Sequence, residues 1–404
     1  MLSSDRSVNI KIEQKKFFFK GEKTMKKTKR IVSIILAAVM LVSVCFAFAG
    51  CGENGGNGGQ TEEKQKIGMI WYGNTDAMGG TFYAWANKAA EALNVELVWK
   101  LGSYTTADEL TDCENLITAG CKGIYYIPMD TSANLQLGTA CQNAGVYLAM
   151  SNRDILDEDV LAAVRANPYF VTRIKDDSYE VCKAMVKVLA DQGVKKVCLL
   201  AGDPSDVMML DRNKGFQDGC KEYGVEILAT SQLVSGDATA NVDSVNNFLT
   251  LYPDVQGILA ASGTAGVGEA IITTLNNSNR EKGSVKVAAF DTFEGNQQAF
   301  EDGWLAASCG GYTSECLISF ISLVNKVKGN NASDKIMELS LSPLLIASAE
   351  DMEVFSKYVD NPEVFLYSDD LVKSLVGSDV KEADYQKVLD DWSLDFVKTS
   401  AGVK

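Results

Sequence analysis

The sequence predicts an α/β protein built as two doubly wound parallel-sheet lobes. Three observations carry this reading. From about residue 66 onward, short apolar runs alternate with segments of helical period, the pattern of βαβ units on a parallel sheet. The alternation runs through two consecutive series, separated by a stretch, 151–173, in which the rhythm breaks. With residues 1–50 set aside, about 354 residues remain, enough for two domains.

The first series reads as strands Ile67–Tyr72, Val95–Leu101, Gly123–Ile127 and Val146–Met150. Helices Thr81–Leu93, Thr106–Ala119 and Ser132–Ala144 lie between them. In the second helix, Leu110, Cys113, Leu116 and Ile117 recur at spacings of three and four, which is one helical face. Asp130 stands ahead of the third helix as a candidate cap. The second series reads as helix Ser178–Asp191, strand Val197–Leu200, helix Asp211–Tyr223, strand Val225–Ala229 and helix Thr239–Leu251. Strand Gly257–Ala261, helix Gly266–Leu275, strand Val285–Phe290, helix Glu294–Asp302 and strand Leu305–Cys309 continue it. Helix Ser314–Lys328 then leads to a further apolar stretch, Leu344–Ala347. The tail, about 370–404, reads as one or two surface helices with Leu375, Val388, Leu389, Trp392 and Phe396 as packing residues.

The front of the chain is of a different kind. The basic run Met25–Arg30 precedes Ile31–Gly50, an almost wholly apolar stretch that closes on the small residues Ala49-Gly50 before Cys51. This is the order of a secretory signal. Phe48-Ala49-Gly50-Cys51 resembles the bacterial lipoprotein box, with Phe48 in place of the usual leucine. The resemblance implies that Cys51 receives a diacylglycerol thioether and becomes the mature N-terminus. The alternative is a transmembrane anchor, for which the run has about the right length. Gly52–Lys64 is a polar segment of Gly, Asn, Gln and charged residues with nothing to bury, so 51–64 reads as a flexible tether. Residues 1–24 fit no secretion signal, and Lys20-Gly21-Glu22 can be encoded by a purine-rich ribosome-binding sequence. Met25 is therefore the expected start and 1–24 a mis-translated leader.

Composition excludes several functions. Ten of the 38 basic and three of the 53 acidic residues lie in 1–50, which leaves 28 basic and 50 acidic residues and a formal charge of −22 for the mature chain. A body this acidic does not bind nucleic acid, which needs a cationic face. The chain has no histidine. That removes Ser-His-Asp and Cys-His catalysis, the commonest zinc ligand sets and the easiest general base near neutral pH. No enzyme activity, metal or cofactor is expected. Beyond Cys45 and Cys51, eight cysteines (113, 121, 141, 182, 198, 220, 309 and 316) are scattered without a C-x-x-C pair, several in apolar contexts such as Val197-Cys198-Leu199-Leu200. They read as buried, reduced small hydrophobes, with one or more disulfides as the alternative in an exported protein.

Several stretches then come together in order. Lys66-Ile67-Gly68-Met69-Ile70 opens the first strand, and Ala119–Ile124 leads to Pro128-Met129-Asp130. Asn143-Ala144-Gly145-Val146, Arg212-Asn213-Lys214-Gly215-Phe216, Pro253–Gly257 and Ala289-Phe290-Asp291 follow. In order and spacing the chain resembles the type I periplasmic-binding-protein family, near its ribose- and other sugar-binding members, over roughly residues 65–350. The resemblance implies two lobes joined by hinge strands that cross between them more than once. Lobe one would be 65–173 plus 312–338, and lobe two 174–311 plus 339–404. A ligand would lie in the cleft, and hinge bending would close it.

The site residues that the resemblance implies come from both lobes. Phe82-Tyr83 fall where sugar-binding relatives place an aromatic pair, with core packing of Phe82 as the competing role. Trp71, Tyr72 and Asn74 sit at or just past the first strand, and of Trp71 and Tyr72 at most one can face a ligand. Asn152-Arg153 follow the fourth strand, where an arginine fork can donate to two vicinal hydroxyls or to a carboxylate; the competing role is a salt bridge to Asp154 or Asp157. Arg212 matches an arginine reaching in from lobe two, with a solvated helix face as its competing role, and Asp291 an aspartate accepting from sugar hydroxyls, with a helix cap near Glu294 as its competing role. Asp206, Met208 and Met209 are expected at the rim. Ser262-Gly263 and Gly310-Gly311 depart from relatives that carry Asn-Asp and glutamine there. The pocket is thereby enlarged: either the ligand is bulkier or less hydroxylated than ribose on that side, or Thr264, Tyr312 or water supplies the missing polar partners, with Ser262 itself a candidate ligand contact. Ser262–Gly268 lacks the ending of a phosphate loop and reads as a strand-to-helix turn. Asp176-Asp177 reads as an inter-lobe crossing and a helix start.

These readings imply a solute-binding lipoprotein of an ABC importer, binding a small sugar-like solute and docking on a membrane permease. It is expected to be a monomer on the outer face of a bacterial cell membrane, of Gram-positive type. The alternatives are a ligand-sensing ectodomain serving a membrane kinase or chemoreceptor and, more remotely, a surface hydrolase using carboxylates.

Overall fold

In the computed structural model, residues 64–204 and 206–403 are described. The leader, the signal segment, Cys51 and the tether up to residue 63 lie outside the described residues. Strands and helices alternate from the start: β1 (Gln65–Trp71), α1 (Ala77–Leu93), β2 (Val95–Leu101), α2 (Thr106–Thr118), β3 (Gly123–Tyr126), α3 (Ala133–Ala144), β4 (Tyr147–Met150), α4 (Glu158–Ala166) and β5 (Phe170–Asp176). The second series is α5 (Ser178–Asp191), β6 (Lys196–Ala201), α6 (Val207–Tyr223), β7 (Glu226–Gln232), α7 (Ala238–Leu251), β8 (Gly257–Ala260), α8 (Val267–Asn277), β9 (Lys286–Ala289), α9 (Asn296–Glu301) and β10 (Leu305–Gly310). Then come α10 (Thr313–Val327), β11 (Met337–Leu341) and β12 (Leu344–Ile346).

Two six-stranded sheets form, in the orders β11-β5-β4-β3-β1-β2 and β12-β10-β9-β8-β6-β7. The orders are the same with one series mapped on the other. Every pairing is parallel except β10 with β12. Strands in the middle of such sheets are covered on both faces, so they are continuous apolar runs. β3 and β8 are buried throughout, whereas the edge strand β7 is half-exposed. The chain crosses between sheets three times: after Asp176, after Gly310, and between Leu341 and Leu344. The Asp177 amide donates to the Leu341 carbonyl at 2.7 Å, joining the first crossing to the third.

The break at 151–173 holds α4 and most of β5. Asp157 caps α4 through the amides of Asp159 and Val160. β5 is disguised by Arg173, which is buried because Asp154 and Glu338 hold its guanidinium. The lobe boundaries drawn at 173 and 338 fall inside strands: β5 and β11 stay paired with each other from Met337–Thr172 to Leu341–Asp176. Asp177 caps α5 through the Glu180 amide. Asp130 binds the Ser132 amide in the turn ahead of α3 rather than capping the helix itself.

The tail differs from the expected surface helices. α11 (Ala349–Val354) runs into a π-helical turn, Phe355–Val359, and packs on α9. α12 (Asp369–Ser374) packs on α1, α13 (Glu382–Asp390) on β11 and α10, and α14 (Leu394–Ser400) on α11. The tail, expected with lobe two, therefore spans both lobes. Its centre is an aromatic cluster around Trp85 of α1, with Phe365, Tyr367 and Trp392 at 5.6–6.2 Å and edge-on to it. The Trp85 indole donates to the Val364 carbonyl at 2.6 Å, and the Trp392 indole to the Gly311 carbonyl at 3.0 Å. Such N–H groups seek partners when buried. With the tail on one side and sheet one on the other, α10 is buried almost all round, its serines, Glu315 and Asn325 included. All eight cysteines of the described residues are free and buried. Among the described residues no helix is long and apolar enough to cross a membrane.

Candidate ligand-binding site

In doubly wound sheets, ligands bind beyond the carboxyl ends of the strands. A cavity of about 360 Å³ lies there, between the two sheets. Tyr72 and Asp76 reach it from the end of β1, Thr264 from beyond β8, and Asp291 and Thr292 from beyond β9. The second crossing, Gly310–Thr313, forms its floor. A hollow of about 390 Å³ beside the amino end of β5 is lined by Arg165, Phe170 and Lys326 among others. It sits at the wrong end of the strands for this kind of site.

The lobe-one wall is set by the start of α1. The helix begins at Ala77, one turn before the expected Thr81, because Asp76 caps it through the Gly79 amide at 2.6 Å. Gly79-Gly80 look like a helix breaker in the sequence but sit inside the first turn. A β-carbon at Gly79 would stand 2.4 Å from the Gly73 carbonyl oxygen, so only glycine permits this close turn. The longer helix carries Phe82 and Tyr83 away from the cavity. Phe82 is fully buried against Trp71 and Tyr125, at 4.5 and 5.1 Å. Tyr83 packs at a tilt against Trp99, with ring centres 4.6 Å apart. The core role holds for Phe82, and neither ring lines the cavity. Trp71 is likewise buried and donates to the Gly79 carbonyl, while Tyr72, on the opposite face of the strand, faces the cavity and donates to Asp76 at 3.0 Å. Asn74 is exposed and outside the lining.

Asn152 and Arg153 stand past the end of β4, close to the crossings. Asn152 has φ 64°, a left-handed backbone that asparagine tolerates better than most residues. Arg153 does not pair with Asp154, which is taken by Arg173 and Lys175. Its guanidinium binds the Asn152 carbonyl and side chain and reaches the Met208 sulfur of α6 at 3.2 Å, so it spans from lobe one to lobe two. Met209 packs instead under Gly202. Two buried carboxyls accompany this group. Burial pushes Glu109 up to about 7, although the Met129 amide donates to it. Burial, then Asp176, pushes Glu315 well above the usual carboxylate range; Asn152 approaches it without closing a hydrogen bond of ordinary geometry.

On the lobe-two wall, Asp291 is the hub. Tyr312 donates to one carboxylate oxygen at 2.7 Å, and Arg212 and Ser262 to the other at 3.3 and 3.5 Å. It does not cap α9, whose first residue follows Gly295. Arg212 is buried, with its guanidinium 3.6 Å from the centre of the Phe290 ring and bonded to the Ala261 carbonyl. Burial opposes its charge, but Asp291, Tyr312 and Asp176 keep its pKa raised. Arg212 is thus held behind Asp291, outside the cavity lining. Ser262 is buried beneath Thr264, 2.9 Å away, and Thr264 faces the cavity. Thr264 and Tyr312 therefore stand where Ser262-Gly263 and Gly310-Gly311 leave the pocket short of polar groups.

Two acidic residues in the lining were not singled out in the sequence: Asp76 and Asp360. Asp76 had a signal, an aspartate ahead of a helical period. Asp360 had none, because it comes from the tail.

A family model described as a periplasmic binding protein domain matches residues 67–316. The ribose import binding protein of Salmonella typhimurium is 25% identical over 251 residues, covering 62% of this chain and 80% of that protein. The xylitol-binding protein of Mycolicibacterium smegmatis is 20% identical over 277 residues, covering 66% and 72%. Among solved structures, an ABC transporter solute-binding protein of Actinobacillus succinogenes with bound D-allose superposes with a TM-score of 0.60 at 17% identity, covering 71% of this chain and 98% of that one. One of Bacillus halodurans with bound myo-inositol gives 0.57 at 16%, covering 73% and 98%. With its two like-ordered sheets, three crossings and cleft at the strand ends, the chain belongs to the type I periplasmic binding protein family.

Proposed function

We propose that this chain is the solute-binding lipoprotein of an ABC importer and captures a small, polar, sugar-like solute by closing its lobes on it. The observation that carries this reading is the lining of the inter-lobe cavity. Hydroxyls of Tyr72, Thr264 and Tyr312 and the Asp291 carboxylate come from different strand ends and converge on one space. Carboxylates accept from sugar hydroxyls, tyrosine rings offer flat area to C–H faces, and contacts from both lobes favour the closed state. The relatives named for ribose and xylitol, and the structures holding D-allose and myo-inositol, support the solute class. Cys51 anchors the protein through lipid on the outer face of the membrane, the tether gives it reach, and a permease receives the solute. It acts as a monomer and makes or breaks no bond.

A thermal-shift screen of sugars and polyols on the chain from Lys64 onward tests the reading. A ligand at a hundred times its dissociation constant adds about 2.7 kcal/mol of stability. A panel covering pentoses, hexoses, pentitols and inositols without a single shift would overturn it.

A further inference from the structure

Beyond the segment shared with the family, the chain continues through the tail, and the tail returns to the cleft. The π-helical turn Phe355–Val359 lies over the second crossing: a β-carbon at Gly310 would stand 2.8 Å from the Phe355 ring. Phe355 and Asp360 line the inter-lobe cavity beside Tyr72, Asp76 and Asp291. The other carboxylates of that lining are engaged, Asp76 by Tyr72 and the Gly79 amide, Asp291 by Tyr312, Arg212 and Ser262. Asp360 is different. Its backbone amide binds the Phe355 carbonyl, but its carboxyl has neither a hydrogen bond nor an ion pair with any described residue. Lys357, the nearest cation in sequence, is exposed and turned over the Tyr358 ring. A partly buried carboxyl with no protein partner, in the wall of a cavity, leaves a hydrogen-bonding position for what enters.

We propose that the tail completes the ligand site, with Asp360 as a ligand-contact residue that takes a hydroxyl or ammonium donor of the solute and turns away solutes bearing a carboxylate. This rests on the solute-capture reading above and narrows its ligand class. The charge of the lining agrees. Among the described residues, three carboxyls and no lysine or arginine line the cavity, and Arg212, behind it, is already matched to Asp291. An anionic sugar acid entering beside Asp76 and Asp360 would meet like charge with no counter-ion. Burial and the Asp76 carboxylate, which push Asp360 up to about 7, fit the same picture. A group so poised accepts a hydrogen bond when ionised and donates one when protonated.

The test uses the chain from Lys64 and three probes of one ring shape, D-glucose, D-glucosamine and D-glucuronate, together with the neutral polyols D-ribose, D-allose, xylitol and myo-inositol. Titration calorimetry at pH 8 is expected to show binding of at least one neutral or amino probe and none of the glucuronate. Asp360→Ala should weaken that binding about tenfold, the loss of one hydrogen bond to a charged group. Asp360→Asn should narrow the preference for the neutral or amino probe over glucuronate by about the same factor. Both variants should melt no lower than the parent without ligand, which separates a lost contact from a damaged fold. Tight glucuronate binding by the parent, or an unchanged dissociation constant in both variants, overturns this inference and leaves solute capture standing. No binding by any probe overturns both.

Discussion

Asn152 and Asp291 occupy the same place in the two halves of the molecule. Each stands two residues beyond the end of its strand, β4 or β9, and those strands hold the same position in their sheets. Each has a left-handed backbone, with φ 64° and 66°. Non-glycine residues rarely hold this conformation, and when they do the site is often functional. Past the first bend Arg153 reaches Met208 of lobe two, and at the second Asp291 itself takes the Tyr312 hydroxyl from the second crossing.

Arg212→Ala should lower both affinity and stability. It leaves the Asp291 carboxylate half-buried with only Tyr312 and Ser262, and empties the space over the Phe290 ring. Removing one member of a buried pair costs about 3–5 kcal/mol. Denaturant unfolding and titration calorimetry with a bound sugar should both register it, and Arg212→Lys should recover only part. Stability within 1 kcal/mol of the parent would mean that the arginine does not hold the aspartate.

Stability should fall as pH rises from about 4 to about 7. Asp360 and Glu109 are both raised to about 7, chiefly by burial. In the unfolded chain they ionise near 3.9 and 4.3. Between those values the folded protein holds more protons than the unfolded one, so their stabilising contribution, complete at the lower limit, is lost through neutrality. Glu109→Gln and Asp360→Asn should each flatten the profile and raise stability at pH 8 by about 1 kcal/mol or more. Chemical denaturation from pH 4 to 8 is the measurement, and a slope unchanged in the double variant would contradict it.

Thiol titration should find none of the eight cysteines reactive in the native chain from Lys64 and all eight after denaturation. All are buried and free. Burial also pushes Cys121 and Cys198 up to about 11 and Cys220 up to about 12, leaving little thiolate to react. Six thiols in denaturant would reveal one oxidised pair, for which Cys113 and Cys141, with sulfurs 3.6 Å apart, are the first to examine.

Gly79→Ala should damage the site from its edge. The methyl group has no room beside the Gly73 carbonyl, so the loop bearing Tyr72 and Asp76 must move. The expected loss is about 1–3 kcal/mol of stability, as for other overpacked positions. Sugar affinity should fall with it, while Gly80→Ala, 3.2 Å from its nearest neighbour, should be milder. Equal effects at the two glycines would argue against this geometry.

Much of the βα rhythm was legible because central parallel strands are unbroken apolar runs. The exceptions have particular causes. β5 carries an arginine whose partners, Asp154 and Glu338, lie far apart in sequence. β11 is an edge strand that alternates buried and exposed residues over only five positions. The resemblance pointed to Asp291, and the departures from it at Ser262-Gly263 and Gly310-Gly311 pointed to Thr264 and Tyr312; all three line the cavity. The resemblance misplaced Phe82 and Tyr83 because a single turn of helix, hidden by two glycines, decides which way an aromatic faces. It had no access to Asp360, since no local pattern shows that a tail folds back on the crossing.

The bond from the Trp392 indole to Gly311 has a practical side. A protein shortened to the borders of the shared domain would strip the cover from Trp85 and from the buried flank of α10. Such a bare aromatic face invites self-association. Recombinant versions should keep the tail through α14, and affinity handles belong at the other end, ahead of Lys64.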